Sequence, residues 1–347
     1  MIQRPAFLTG APEFREAIHV DVLSEVLGAV KLEGALFFNG EFSSPWCVRT
    51  TPAAVAPYLS PGGGRLIIFH FLTEGRAFVR LSDGRPEELT AGDIVIFPHE
   101  DIHLLGNGSP ERPVDSLQTF SKNLTEGLKV IRFGGGGEIT KFVCGFMACG
   151  TRLSDVFLAG LPKMVRVHVA NEPSGEWLAH SIRYSVGEMT GGNAGSGLVL
   201  AKLSEVLFVE TLRRYISGLP SDQTGWLAGA RDPSIGQALA LLHKAPEYPW
   251  TIESLARNVG MSRTRLAERF RHFLSESPMN YLAQWRLKLG AEILQSGEAS
   301  VAEIAARVGY GSEAAFNRAF KREFDCPPAQ FRRARKTGAM KIAAVSE

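Results

Sequence analysis

Two histidines and a carboxylate carry spacing that would suit metal chemistry. His70 follows Gly64 after five residues and precedes Glu74-Gly75, and a second stretch runs Gly92-x5-Pro98-x-Glu100-x2-His103-x3-Asn107. If His70, Glu74 and His103 converge, they offer two imidazole nitrogens and a carboxylate, a donor set for divalent iron or zinc. The competing role is the ordinary one, a strand histidine hydrogen-bonded inside a core. Cys144 and Cys149 are separated by four residues, wider than the two of zinc knuckles, and three roles stay open for them. They are buried structural thiols, or thiolates completing a metal site with His70 and His103, or a reversible oxidation switch, which needs exposure and a lowered pKa. The four glycines Gly134 to Gly137 lead into Glu138-Ile139-Thr140-Lys141. The Gly-Lys-Ser/Thr that holds a nucleotide phosphate is missing, so a flexible loop between strands is expected there.

A second chemistry lies in a duplicated segment rich in arginine. Ile252, Leu255, Ala256 and Val259 recur forty-nine residues later as Val301, Ile304, Ala305 and Val308, and the copies end in Gly260 and Gly309. Each then continues through a serine, Ser262 or Ser312, into a second apolar rhythm, Leu266 and Phe270 or Phe316 and Phe320. This is the pattern of a short helix, a tight glycine turn and a serine-capped second helix. One such match is weak, but two in register are specific.

On a wheel of about 100° per residue, Leu266, Phe270 and Phe273 inward leave Thr264, Glu268 and Arg271 outward, flanked by Arg265, Ala267 and His272. In the second copy Ala314, Arg318 and Lys321 point out, flanked by Asn317 and Arg322. These are candidate base and phosphate contacts on double-stranded DNA. Arg318 is the foremost base reader, since a guanidinium donates two hydrogen bonds to a guanine edge, whereas Glu268 accepts only, as from a cytosine amino group. A merely solvated charged face is the simpler alternative for each of these residues singly.

The elements that must position these groups follow from composition and rhythm. The chain has 347 residues, which suits two domains, and its hydrophobic content of 45% is enough to fill their cores. Residues 231–347 hold 18 Lys and Arg against 12 Asp and Glu, while residues 1–230 hold 20 against 24, so only the C-terminal part is suited to a polyanion. No apolar h-region follows Met1 and no run approaches a membrane span, which points to a cytoplasmic protein. Four scattered cysteines are too few for a disulfide framework.

Short β-branched and aromatic runs with Gly, Pro and Asp-Gly turns predict a β-barrel or sandwich over about 32–150. Helices are expected over about 153–217, the clearest from Leu198 to Tyr215, with Leu200, Leu203, Leu207, Glu210 and Arg214 in one stripe that either packs on the β-domain or forms a homodimer seam. Residues 218–232 read as a linker, 233–335 as an all-helical domain opening near Pro233, and 336–347 as a frayed tail. Pro278 to about Gln295 reads as one helix joining the duplicated units, about 27 Å long at 1.5 Å per residue. The two outward faces would then enter neighbouring major grooves, about 34 Å apart.

The doubled unit, with Gly309-Tyr310 and the run Phe316-Asn317-Arg318-Ala319-Phe320-Lys321-Arg322-Glu323-Phe324, then Pro327-Pro328 and Phe331-Arg332, resembles the DNA-binding domain of the AraC/XylS transcription regulators. That resemblance implies that Thr264, Ala267 and Glu268, and Glu313, Ala314 and Arg318, face bases, and that RNA polymerase is a partner. The stretch from Gly92 to Asn107 resembles the second cupin motif, with Glu100 where glycine is usual, and Ile68 occupies the place of the first motif's leading histidine. The expected fold is α+β and multidomain, an N-terminal cupin-like β-barrel with flanking helices and a C-terminal all-α domain with two helix-turn-helix units. The expected function is a homodimeric one-component transcription regulator answering to a small molecule, a metal or an oxidant. The rival is a metal-dependent cupin enzyme, a dioxygenase or isomerase, fused to a DNA module.

Overall fold

Between Leu32 and Cys149 the strand-forming runs pair into two sheets. The computed structural model describes residues 23–24, 32–60, 65–108, 113–119, 130–149, 158, 160–169, 173–190, 194–297 and 299–336. Gly64 and the tail beyond Lys336 lie outside them. The strands are β1 (Leu32–Ser43), β2 (Trp46–Thr50), β3 (Arg65–Glu74), β4 (Arg76–Leu81), β5 (Glu87–Thr90), β6 (Asp93–Phe97), β7 (His103–Asn107), β8 (Val114–Asp115), β9 (Ile131–Gly134), β10 (Ile139–Cys149) and β11 (Val165–His168). One sheet has the order β11-β6-β3-β10-β1-β9 and the other β5-β4-β7-β2-β8. Phe42, Trp46, Leu72, Val79, Phe97, Leu105 and Phe142, drawn from both sheets, form the core between them. Burial of side chains of this size stabilises the fold by about 1.5–3 kcal/mol each. Helix α1 (Pro52–Leu59) places Val55 on a second cluster with Leu66, Ile68, Phe146 and Ala148.

The stretch expected to be helical over 153–217 contains a strand. β11 pairs antiparallel with β6, burying Val165 and Val167 and turning Arg166 and His168 the other way. Four alternating residues are too short a signal against a helical background, and an open edge of the sheet decided their state. Helices α2 (Pro173–Thr190) and α3 (Ser196–Ser217) follow, and α3 packs on β1 and β11. Its buried stripe is Ser204, Leu207, Phe208, Thr211 and Leu212, rotated from the expected one, of which Leu207 is buried, Leu203, Glu210 and Arg214 are half-buried, and the Leu200 side chain lies outside the described residues.

The chain divides between Gln223 and Thr224 into two compact units. The segment expected to be a linker over 218–232 therefore belongs to both. Its second half forms helix α4 (Trp226–Arg231), in which Trp226, Leu227, Ala228 and Gly229 are buried. α5 (Pro233–Lys244) opens on Asp232, whose side chain accepts from the amides of Ser234 and Ile235 at 3.2 and 2.9 Å and also pairs with Arg269. Ile235, Leu239 and Leu242 are fully buried, as the spacing requires.

The duplication is built twice in atomic detail. α6 (Ile252–Asn258) and α7 (Arg263–Leu274) form the first unit, α9 (Val301–Arg307) and α10 (Glu313–Phe324) the second, with α8 (Pro278–Ser296) between them and α11 (Pro328–Lys336) last. α6 and α9 both start in capping boxes, Thr251 with Ser254 and Ser300 with Glu303. Gly260 and Gly309 adopt φ of 66° and 83°, and the second helices end on left-handed Ser275 and Asp325.

Candidate functional site

The outward faces of α7 and α10 are set by their buried ones. Leu266, Phe270, Phe316 and Phe320 are inaccessible, so the intervening positions must face away. Ser262 and Ser312 cap the two helices by accepting from the amides of Arg265 and Ala315 at 3.3 and 3.2 Å. Thr264, Arg265, Glu268 and Arg271 are exposed on α7, with Ala267 half-buried, and Glu313, Ala314, Arg318 and Lys321 are exposed on α10. Asn317 is half-buried and its Nδ2 lies 3.4 Å from Glu313 Oε1, a weak tie that orders the first turn of α10.

α8 holds the two units together through contacts that no local pattern announces. Arg286 donates from Nε to the Pro246 carbonyl at 2.6 Å and from Nη2 to the Tyr248 carbonyl at 2.8 Å. A Cβ on Gly309 would lie 2.8 Å from the Pro246 oxygen and from Glu247 Cα, and one on Gly290 would lie 2.9 Å from the Phe316 ring. The second helix-turn-helix is thus seated directly on the loop before the first. Arg286 and Asp232 were missed by sequence reasoning. Their partners, two carbonyls and Arg269, lie some forty positions away and carry no signature.

In the β-domain His70 and His103 do meet, with Nε2 to Nε2 at 2.9 Å, and His70 Nδ1 lies 2.8 Å from Cys144 Sγ. His103 Nδ1 lies 2.9 Å from the Asp101 carbonyl, and its ring stacks on Phe97 at 3.6 Å. A carbonyl only accepts, so His103 carries its proton on Nδ1 and accepts at Nε2. His70 then donates from Nε2 and accepts the Cys144 thiol proton at Nδ1. The result is a chain, Cys144 to His70 to His103 to Asp101, with every ring nitrogen used. Burial, and then the neighbouring His103, holds His70 well below the usual imidazole range, and burial brings His103 to about 4. Burial pushes the Cys144 thiol well above its ordinary value. All three groups are neutral at physiological pH.

This geometry corrects four expectations. Glu74 does not join the histidines: at the end of β3 it is more than half exposed and its carboxylate pairs with Lys141 Nζ at 2.6 Å. Cys149 does not join Cys144, because five residues along β10 reverse the face and separate them by about 16 Å at 3.3 Å per residue. His70, His103 and Cys144 are strung in a chain with their lone pairs committed to one another, which does not fit a zinc or iron centre, and among the described residues no three or more His, Cys, Asp or Glu side chains are placed to hold a metal ion together. The thiol of Cys144, buried and raised, likewise lacks the exposure and acidity of a redox switch.

Glu100 and the glycine loop take unexpected parts. Glu100, where glycine is usual, adopts φ of 62°, the left-handed region that favours glycine, and its Oε1 accepts from the Leu66 amide at 2.9 Å. The glycine loop is no anion cradle either. Ser43 and Ser44 accept from Gly135 and Gly137 at 2.8 Å through their carbonyls, and from Gly136 and Glu138 at 2.9 Å through their hydroxyls. Those bonds also replace the expected flexible loop by a tied one.

Comparison with known proteins agrees with both halves. The Cupin family profile matches residues 21–217, and the profile of the helix-turn-helix domain matches residues 255–334. The chain is 33% identical over 272 residues to the HTH-type transcriptional regulator AlkR of Acinetobacter baylyi, covering 77% of this chain and 87% of the relative. It is 32% identical over 316 residues to a putative AraC-like transcription regulator of Streptomyces lividans, covering 90% of this chain and 98% of that one. Among solved structures, the DNA-binding domain of AdpA in complex with a target DNA is 28% identical, covering 32% of this chain and 99% of the other at a TM-score of 0.30. No described helix is long and apolar enough to cross a membrane. With two capped helices presenting charged faces and relatives that match along nearly the whole chain, the protein belongs to the AraC family of DNA-binding transcription regulators and carries an N-terminal cupin domain.

Proposed function

We propose that this regulator reads two successive major grooves of one DNA site through α7 and α10, and that a signal received by the cupin domain sets its affinity for that site. The observation that carries the reading is the paired exposure of Arg265, Glu268 and Arg271 on one helix and Arg318 and Lys321 on the other, over phenylalanines that leave each helix no other orientation. α8, with 19 residues, spans about 28 Å, close to the roughly 34 Å between grooves on one face of the duplex. Thr264, Ala267, Glu313, Ala314 and Asn317 complete the faces, small or polar positions that admit a base edge without steric conflict.

The protein acts in the cytoplasm as a homodimer, and RNA polymerase is its partner at the promoter. The dimer seam is the exposed apolar face of α2 and α3, where Trp177, Tyr184, Leu198 and Val199 are each more than half accessible. The donor set expected for a metal-dependent enzyme loses Glu74, whose carboxylate pairs with Lys141. Sequencing the genomic fragments retained by the purified full-length protein tests the DNA reading. The expected outcome is one recurring motif with two conserved blocks centred about 10–10.5 base pairs apart. A single block, or retention without sequence preference, would remove the two-groove arrangement.

A further inference from the structure

The unit spanning residues 27–223 carries an open cleft of about 810 Å³, lined by none of the residues of the buried histidine chain. It lies where β11, the end of α3 and the segment Ser217–Gln223 come together, and its size falls within the roughly 300–1,000 Å³ of small-molecule sites. Its basic side chains are held in place from behind. Arg166 Nη2 and His168 Nδ1 each lie 3.1 Å from a carboxylate oxygen of Asp93, which is itself 1% exposed and also accepts from the Thr90 amide at 2.7 Å. From α3, Arg213 and Arg214 each place a guanidinium nitrogen 3.1 Å from Glu210. Three guanidiniums therefore line the cleft: Arg166 is compensated by Asp93 and, at 3.8 Å, by Glu87, whereas Arg213 and Arg214 share the single carboxylate of Glu210. A guanidinium has five N–H donors, and Arg213, with 67% of its side chain exposed, gives one nitrogen to Glu210. Val167, Leu219 and Pro220 supply apolar wall beside these donors.

We propose that this cleft binds a small organic anion, an oxyanion head on an apolar body, and that it is the effector site of the regulator. The effector role rests on the signal-responsive reading given above. Arginine forks match the paired oxygens of carboxylate, sulfonate or phosphate, and fixed arginines lose little freedom on binding. The segment Ser217–Gln223 forms one wall and ends where the chain passes into the DNA-binding unit at Thr224. A ligand that grips this wall changes the affinity for DNA by as much as it prefers one arrangement of that segment over another.

The test uses the full-length chain with 8-anilinonaphthalene-1-sulfonate as anionic probe and N-phenyl-1-naphthylamine as its counterpart without the head. The sulfonate should saturate one site per chain, protect residues 213–223 from hydrogen exchange and change DNA affinity at least fivefold. Arg213→Glu, at an exposed position, should weaken it at least tenfold and leave the uncharged probe unaffected. Equal sulfonate affinity in Arg213→Glu, equal binding of the uncharged probe to the wild type, or displacement by inorganic phosphate at the sulfonate's own concentration would overturn the assignment of ligand class. Arg213-dependent binding with no effect on DNA affinity would overturn the effector role. DNA binding measured alongside by mobility shift, with and without the sulfonate, separates the two readings. Its absence in both states removes the DNA reader and leaves the anion site standing, whereas intact DNA binding without an Arg213 effect removes the site alone.

Discussion

Arg318 and His103 show how differently one side chain acts at a surface and in a core. Arg318 stands exposed on α10, and if its fork reads a guanine, Arg318→Ala should cost about 1–3 kcal/mol of discrimination at one base position. Binding measured across single-base variants of the site checks this, and a uniform loss over all variants would make Arg318 a phosphate contact. His103 instead accepts the only proton that His70 Nε2 has to give. His103→Phe should lower stability at pH 7.5 by about 1–3 kcal/mol, because a buried donor loses its partner. The same variant makes a pH prediction. With a folded value of about 4 against 6.5 unfolded, the unfolded state binds the extra proton between those limits, so wild-type stability falls as pH falls through that window. The variant lacks that proton, so the gap between the two proteins should narrow at pH 5. Chemical denaturation at both values decides, and a gap that stays constant or widens would contradict the assigned chain.

At the scale of elements, the two glycine turns share a sequence rhythm but differ in surroundings. Both are left-handed, yet a Cβ on Gly260 meets nothing within 4 Å, whereas one on Gly309 meets the backbone of Pro246 and Glu247 at 2.8 Å. Gly260→Ala should therefore cost only the left-handed penalty of about 1–2 kcal/mol. Gly309→Ala should cost clearly more, since α9 and α10 must shift away from the loop. Gly260→Asn should recover much of the loss and Gly309→Asn should not, because asparagine tolerates the backbone angle but still carries a Cβ. Thermal unfolding of the four variants measures the difference, and equal losses at the two glycines would show that Arg286 and the 246–248 loop do not lock the second unit in place.

For the whole molecule, the exposed apolar positions of α2 and α3 bear on assembly. Leu198 is 69% and Val199 53% accessible on the same helix turn, a costly exposure for a monomer unless another surface covers it. Leu198→Glu combined with Val199→Glu should convert a dimer to a monomer in analytical ultracentrifugation without lowering the melting temperature of the monomeric chain. It should also weaken binding to a site with two inverted halves far more than to a single half. A wild-type chain that sediments as a monomer at micromolar concentration would sink the proposed seam.

The sequence by itself determined the DNA-reading half almost completely. Helix periodicity, serine caps and turn glycines are local signals, and repeating them at an offset of forty-nine residues made chance agreement implausible, so α5 to α10 and their outward residues were legible in advance. The strand-rich character of residues 32–149 and the two glycine-marked stretches that hold His70 and His103 were legible for a similar reason, since β-branched runs and short motifs suffice. Only the tertiary structure decided what those histidines do. The partner of Glu74 is a lysine on a strand that lies 67 positions further along the chain, the acceptor for His103 is a backbone carbonyl, and the face of Cys149 depends on counting along a strand whose register was unknown. β11 was hidden for a related reason: its four residues become a strand because β6 leaves an edge to pair with. Local preference can be read from a chain one turn at a time, but hydrogen-bond partners, sheet edges and the seating of one unit on another exist only once distant segments are brought together.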